Sequence, residues 1–186
     1  MTAADPLPLL TALGWVLTLS GAVAAAVLSL VAWRRPAPVL TVLAAALLAL
    51  TLLIAAVMPA AAPAVVTAVL TIAALVVAVA GGSPAVRIVL DRVAFDEEEG
   101  AHGGLLVAGR ELLRGGEVIG LLERLSVAGA VIAGVPEALA VIIAIKGVGR
   151  FTELETSAVR ERFIVGTLAS WVWAAAAAGI VLLARS

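Results

Sequence analysis

Two adjacent charges stand inside an apolar run: Glu123 and Arg124 in "GEVIGLLERLSVAGAVIAG", residues 116–134. A charge at the centre of a membrane helix costs about 2.5–3.5 kcal/mol on insertion scales, so neither side chain is expected to face lipid. Successive helical residues point about 100° apart, so the two do not face each other and each needs a partner from another element. Gly116 and Gly120 form a small-xxx-small face, where a neighbouring helix can come close, and the pair follows Gly120 by three and four residues. The candidate partners lie downstream. Lys146 and Arg150 share a helix face at i,i+4, Glu161 follows, and Gly166, Thr167 and Ser170 make a small polar face beyond it. Two cations beside two carboxylates can balance one another, or they can hold an anion such as a phosphate headgroup or a carboxylate solute.

Each of these residues also has a plain structural reading. Lys146 and Arg150 would snorkel from a helix end and offset its dipole. Glu123 and Arg124 would be an ion-pair network that holds helices together. Glu137, after Pro136, suits the first turn of a helix. Trp171 and Trp173 would pack or sit at an interface, and Glu97 to Glu99 would be a solvated loop. His102 stands in a glycine-rich stretch with no second histidine, which reads as a loop residue and not a metal ligand.

Composition sets the surroundings of these charges. Hydrophobic residues make up 63% of the 186, against about half in soluble domains, and the mean hydropathy is +1.20. The apolar material is Ala, Val and Leu, with 4% aromatics and no tyrosine. That suits membrane helices packed closely through small side chains. The net charge of −1 gives no field for nucleic acid. With no cysteine, disulfides, thiol catalysis and cysteine metal sites are excluded, and no cofactor is expected. The residues before Pro8 carry no basic segment, so the first apolar run reads as an uncleaved helix.

The chain therefore reads as all-α: a polytopic transmembrane helix bundle of about six spans with a short amphipathic cytoplasmic segment. Helices are expected from about Leu9 to Trp33, Val39 to Met58 and Ala64 to Ala80, separated by "RRPAP" and "PAAAP" and ended by "GGSP", Gly81 to Pro84. "AVRIVLDRVAF" places Val86, Val89, Leu90 and Val93 on one stripe, a short helix for the membrane surface. "DEEEGAHGG" is an acidic loop, and "LLVAGRELLRGG" is a second surface helix or a linker. Further helices run from about Glu117 to Ala133 and Pro136 to Arg150. The last begins at the capping box "TELE", Thr152 to Glu155, or a few residues later, and runs to about Ala184. The short fourth and fifth would alternatively form a re-entrant hairpin. Three parts follow: transmembrane helices in 1–82, a cytoplasmic loop in 83–116, and the charged-motif helices in 117–186. Arginines fall in alternate loops, with Arg185 the one that disagrees, which places both termini outside an inner (plasma) membrane.

Residues from Gly116 onward resemble a group of uncharacterised bacterial integral membrane proteins. The group's pattern is G-x-x-I-G-x-L-E-R, then P-E-[AG], then K-x-x-x-R-[FY], then a glutamate before I-x-G-T-L-x-S. Those elements correspond here to Gly116 through Arg124, Pro136-Glu137, Lys146 with Arg150-Phe151, Glu161, and Gly166-Thr167 with Ser170. Val165, before the Gly-Thr, is a mild departure. The resemblance brings no activity with it, but it implies that the Glu-Arg and Lys-Arg pairs belong to one site.

The leading expectation is a small transporter, or a protein that binds a small anion or an anionic lipid headgroup through this intramembrane cluster. A structural or regulatory subunit, in a homo-oligomer or with a membrane partner, is the second reading. An enzyme on lipid phosphate is the third, with Glu123 or Glu161 as acid or base and Lys146 and Arg150 on the phosphate. Against the third, the chain has no HExxH, no intramembrane aspartate cluster and no clear Ser-His or Ser-Lys arrangement.

Overall fold

The computed structural model describes residues 7–92, 105–135, 137–149 and 157–186. These residues form six helices and no strand: α1 (Leu7–Arg34), α2 (Pro38–Ala56), α3 (Ala64–Arg92), α4 (Leu105–Ala133), α5 (Ala138–Gly149) and α6 (Ser157–Arg185). Four of them, α1, α2, α3 and α6, are long and apolar enough to cross a membrane. The all-α membrane bundle is therefore the fold, and about six spans is roughly consistent with it. The acidic loop with Glu97 to Glu99 and His102, and likewise Pro136, Arg150, Phe151 and the Thr152–Glu155 box, lie outside the described residues.

The packing is small inside and large outside. The buried core is dominated by alanine, including Ala22, Ala25, Ala74, Ala78, Ala128, Ala174, Ala177 and Ala178. Leu9, Leu13, Val16, Leu17, Leu53, Val65, Ile72, Leu168 and Val172 all face outward. Water would drive the larger groups inward, at about 25 cal/mol per Å² of apolar surface. Lipid removes that drive, so helices close on small residues while the bulky ones meet acyl chains. α3 and α6 form the most extensive pair, and α1 lies on α2 and α3. α4 packs on α3 and α6, whereas among the described helices the backbone of α5 approaches α4 alone.

Contacts define two ends. At one, Gly14 of α1 lies against Met58, the Ala62 N–H donates to the Ala184 carbonyl (2.8 Å), and Arg185 donates to the Ile132 carbonyl (2.7 Å). The first turns of α1 and the last turn of α6 thus share one end. At the other, the Trp33 indole N–H donates to Glu117 (2.9 Å), tying the end of α1 to α4. The α4–α5 turn is a Schellman close. Val135 N–H reaches the Ala130 carbonyl (2.9 Å) and Gly134 N–H the Val131 carbonyl (3.1 Å), with Gly134 at φ 71°.

Two helix boundaries differ from expectation. "GGSP" does not end α3, which runs on to Arg92 with Pro84 inside it. Proline removes one backbone donor, but neighbouring helices bring side-chain donors to the preceding turn. Trp173 Nε1 donates to the Val77 carbonyl (2.8 Å), and Arg124 Nε donates to the Val79 carbonyl (3.1 Å). The carbonyl that Pro84 leaves without its helical donor is that of Ala80, four residues back, so these two bonds tie α3 to α6 and α4 just before the proline and do not replace the missing one. Gly81 and Gly82 are where those donors lie close: a Cβ at Gly81 would sit 2.5 Å from the Trp173 ring, and one at Gly82 would overlap Arg124 Cδ. The amphipathic stripe after Pro84 is accordingly no separate surface helix. Val86 and Leu90 line the α3 face that meets Gly166 of α6. α4 likewise begins at Leu105, so the "LLVAGRELLRGG" segment is its first half and α4, at 29 residues, is not short. α5 is short: its 12 residues span about 18 Å, against a hydrocarbon layer of about 30 Å.

Candidate functional site

Glu123 and Arg124 are buried, at 8% and 4% exposure, and they diverge as adjacent helical residues must. Glu123 faces α5 and α6. Its two carboxylate oxygens accept from Lys146 Nζ at 2.7 and 2.6 Å, and Oε1 also accepts from the Trp171 indole N–H at 2.6 Å. The Lys146 ammonium lies 5.4 Å from the centre of the Phe163 ring, within the range of a cation–π contact. Lys146 is the more open member of the ion pair, with its side chain 20% exposed against 6% for Glu123. Helical geometry explains how Trp171 and Phe163, eight positions apart, serve one site. Long side chains lean toward the start of their helix, which carries the Trp171 indole back toward Phe163.

Arg124 faces α3. Besides Nε on the Val79 carbonyl, its Nη2 donates to Ser83 Oγ (2.9 Å), and the side chain lies along Gly82. Gly120 serves the same residue, since a Cβ there would stand 3.2 Å from Arg124 Nη1. The described neighbour at Gly120 is therefore the guanidinium one turn on in its own helix, where a second helix backbone was expected. Gly116 lies on α4.

Of the residues expected to converge, the structure joins Glu123 to Lys146 and sends Arg124 elsewhere. Glu161 is exposed on α6 and makes no ion pair with the cluster. Thr167 is half-buried with no hydrogen bond to Glu123 or Lys146, and Gly166 packs on Val86 and Leu90. Ser170 is buried, and its hydroxyl has no hydrogen-bond partner among the described residues. Arg150 lies outside the described residues.

Sequence reasoning missed Trp171, Phe163, Ser83 and Trp33. From sequence, Trp171 reads as a packing or interface residue. The signal that could have found it is chemical: an indole N–H in an apolar segment needs an acceptor, and Glu123 supplies one. Among the described residues no group of three His, Cys, Asp or Glu side chains could hold a metal ion.

Compared with protein-family models, with curated proteins and with solved structures, the chain matches none.

Proposed function

We propose that this membrane protein binds, and in the fuller reading transports, a ligand with an anionic group, either a lipid headgroup or a small solute, at the Glu123–Lys146 pair. One observation carries the reading. Lys146 is a partly open cation on the least-packed helix, and its only ion pair among the described residues is with a nearly closed carboxylate. A ligand phosphate or carboxylate can take the ammonium as α5 shifts, without disturbing the α1–α3–α6 core. Arg124 is placed outside this role, because its hydrogen bonds run to α3. The alternation of arginine-bearing loops supports an inner bacterial membrane with both termini outside.

Native mass spectrometry on mildly extracted protein tests the reading, wild type beside Lys146→Ala. The wild type should retain a phosphate- or carboxylate-bearing ligand that the variant loses. Clean protein masses in both, at equal stability, would overturn it.

A second reading has its own support. The hydrogen bonds of Glu123 and Arg124 join α4 to three other helices, α3, α5 and α6, as a structural lock would. A structural or regulatory subunit would then show a stoichiometric partner on purification, and Lys146→Ala would change stability alone. No residue is assigned a catalytic role.

A further inference from the structure

We infer that the ligand of this site is a zwitterion with a primary ammonium group as well as its anion, and that Glu123, Phe163 and Trp171 form the ammonium half of the site; the inference rests on the ligand-binding reading above. In the closed state Lys146 Nζ fills that half itself. It places N–H groups on both carboxylate oxygens at 2.7 and 2.6 Å and lies 5.4 Å from the Phe163 ring centre. The Trp171 indole N–H also donates to Oε1 of that carboxylate (2.6 Å). A buried carboxylate beside an aromatic face, with an indole holding it in place, is a receptor for an ammonium group. The lysine shows what that receptor accepts.

Charge bookkeeping then constrains the visitor. A bare anion that drew Lys146 away would leave Glu123, only 6% exposed, with the Trp171 N–H alone, an uncompensated buried charge. A bare cation on Glu123 would leave Lys146 unpaired, although that side chain is open enough to snorkel. A ligand carrying both charges leaves neither group alone: its ammonium replaces Nζ on Glu123, and its anion meets the released Lys146. The exchange is neutral overall, which a low-dielectric site favours. The contacts that Lys146 makes there are N–H donations below 3 Å, so a ligand nitrogen that replaces Nζ in kind carries N–H groups, which a trimethylated nitrogen lacks.

The site's depth suits a headgroup. Glu117, exposed and bonded to Trp33, marks an indole N–H at the bundle end, as interfacial tryptophans do. Glu123 lies six residues further along α4, about 9 Å, and Lys146 sits in the last turn of α5. Phosphoethanolamine chemistry could arrive as lipid or as a free solute, and the test separates the two.

The full-length protein, delipidated in mild detergent, is offered equal amounts of phosphatidylethanolamine, phosphatidylcholine and phosphatidylglycerol and read by native mass spectrometry. Free O-phosphoethanolamine is titrated separately against tryptophan fluorescence. Glu123→Gln keeps the shape and an acceptor for Trp171, so it stands beside Lys146→Met in case the latter fails to fold. Retention of phosphatidylethanolamine at least tenfold over the other two, lost in Glu123→Gln, supports the inference with a lipid source. A saturable response to O-phosphoethanolamine without lipid selectivity, abolished by Glu123→Gln, supports it with a soluble source. Preference for phosphatidylglycerol, retained in Glu123→Gln and lost in Lys146→Met, overturns the zwitterion and leaves the anion reading standing. Retention that neither variant changes, or no binding of any probe, overturns both.

Discussion

α3 and α5 are the two helices that the adjacent charges of α4 grip, and they are gripped in opposite ways. Arg124 reaches a backbone carbonyl and a serine of α3, a 29-residue helix that packs on α1, α2, α4 and α6. Glu123 reaches the tip of a flexible lysine on α5, a 12-residue helix whose backbone neighbours α4 alone among the described helices. A carbonyl inside a packed helix has nowhere to go. An ammonium on a long side chain can exchange one carboxylate for another anion. Two charges one residue apart in sequence thus divide into a fixed joint and an exchangeable one.

The largest effect should come from breaking the fixed joint. Arg124→Leu removes two hydrogen bonds made by a charged group, each worth about 1.5–3 kcal/mol, and it does so at the turn where Pro84 already withholds a donor. The melting temperature of the whole bundle, followed by tryptophan fluorescence, should fall sharply. A melt within a degree or two of wild type would show that the Arg124–α3 contact is incidental. Gly81→Ala attacks the same region by volume. The added methyl meets the Trp173 ring and Ser29 Oγ, and overpacking of this kind costs about 1–3 kcal/mol. Trp173 is pinned by its bond to the Val77 carbonyl and has little room to give.

This contrast was only half legible in the sequence. Length and apolarity carried α1, α2 and α6 to within a few residues, because long uninterrupted runs have no soluble alternative. The angular divergence of Glu123 and Arg124, and the assignment of Lys146 as a partner from another helix, follow from helical periodicity and from the cost of a lone buried charge. "GGSP" misled because glycine and proline are read as local punctuation, whereas here α3 runs on through them, packed against Trp173 and Arg124, which lie 89 and 40 positions from Pro84. Gly120 misled for a related reason. Small-xxx-small spacing announces close approach, but not whether the approaching group is a second helix or an arginine of the same one. The Trp171 bond to Glu123 depends on where α6 lies relative to α4, which is a tertiary fact.

Breaking the exchangeable joint should have a smaller and more local effect. In Glu123→Gln the Trp171 bond has an acceptor, but the charge that holds Lys146 is gone. Amides of α5 should exchange hydrogen about tenfold faster, which corresponds to about 1.4 kcal/mol, while protection in α3 and α6 stays near wild type. Equal loosening of α3 and α5 would erase the distinction between the joints.

The smallest effect is the most diagnostic. Pro84→Ala restores a backbone donor to α3, and the net change should lie within about 1 kcal/mol, because a restored helical hydrogen bond is modest and the pyrrolidine's entropic advantage is lost with it. Its value lies in combination with Arg124→Leu. Residue 84 would donate to the Ala80 carbonyl, next to the Val79 carbonyl that Arg124 holds; if Arg124 steadies the turn that the proline weakens, the loss caused by Arg124→Leu should be smaller in the Pro84→Ala background by more than about 0.5 kcal/mol, the usual limit of additivity for independent sites. Strict additivity would mean that Arg124 holds α3 through Ser83 and packing alone, with the proline irrelevant to it. The Gly81-Gly82 pair would then seat Trp173 and Arg124 simply because their side chains need the space.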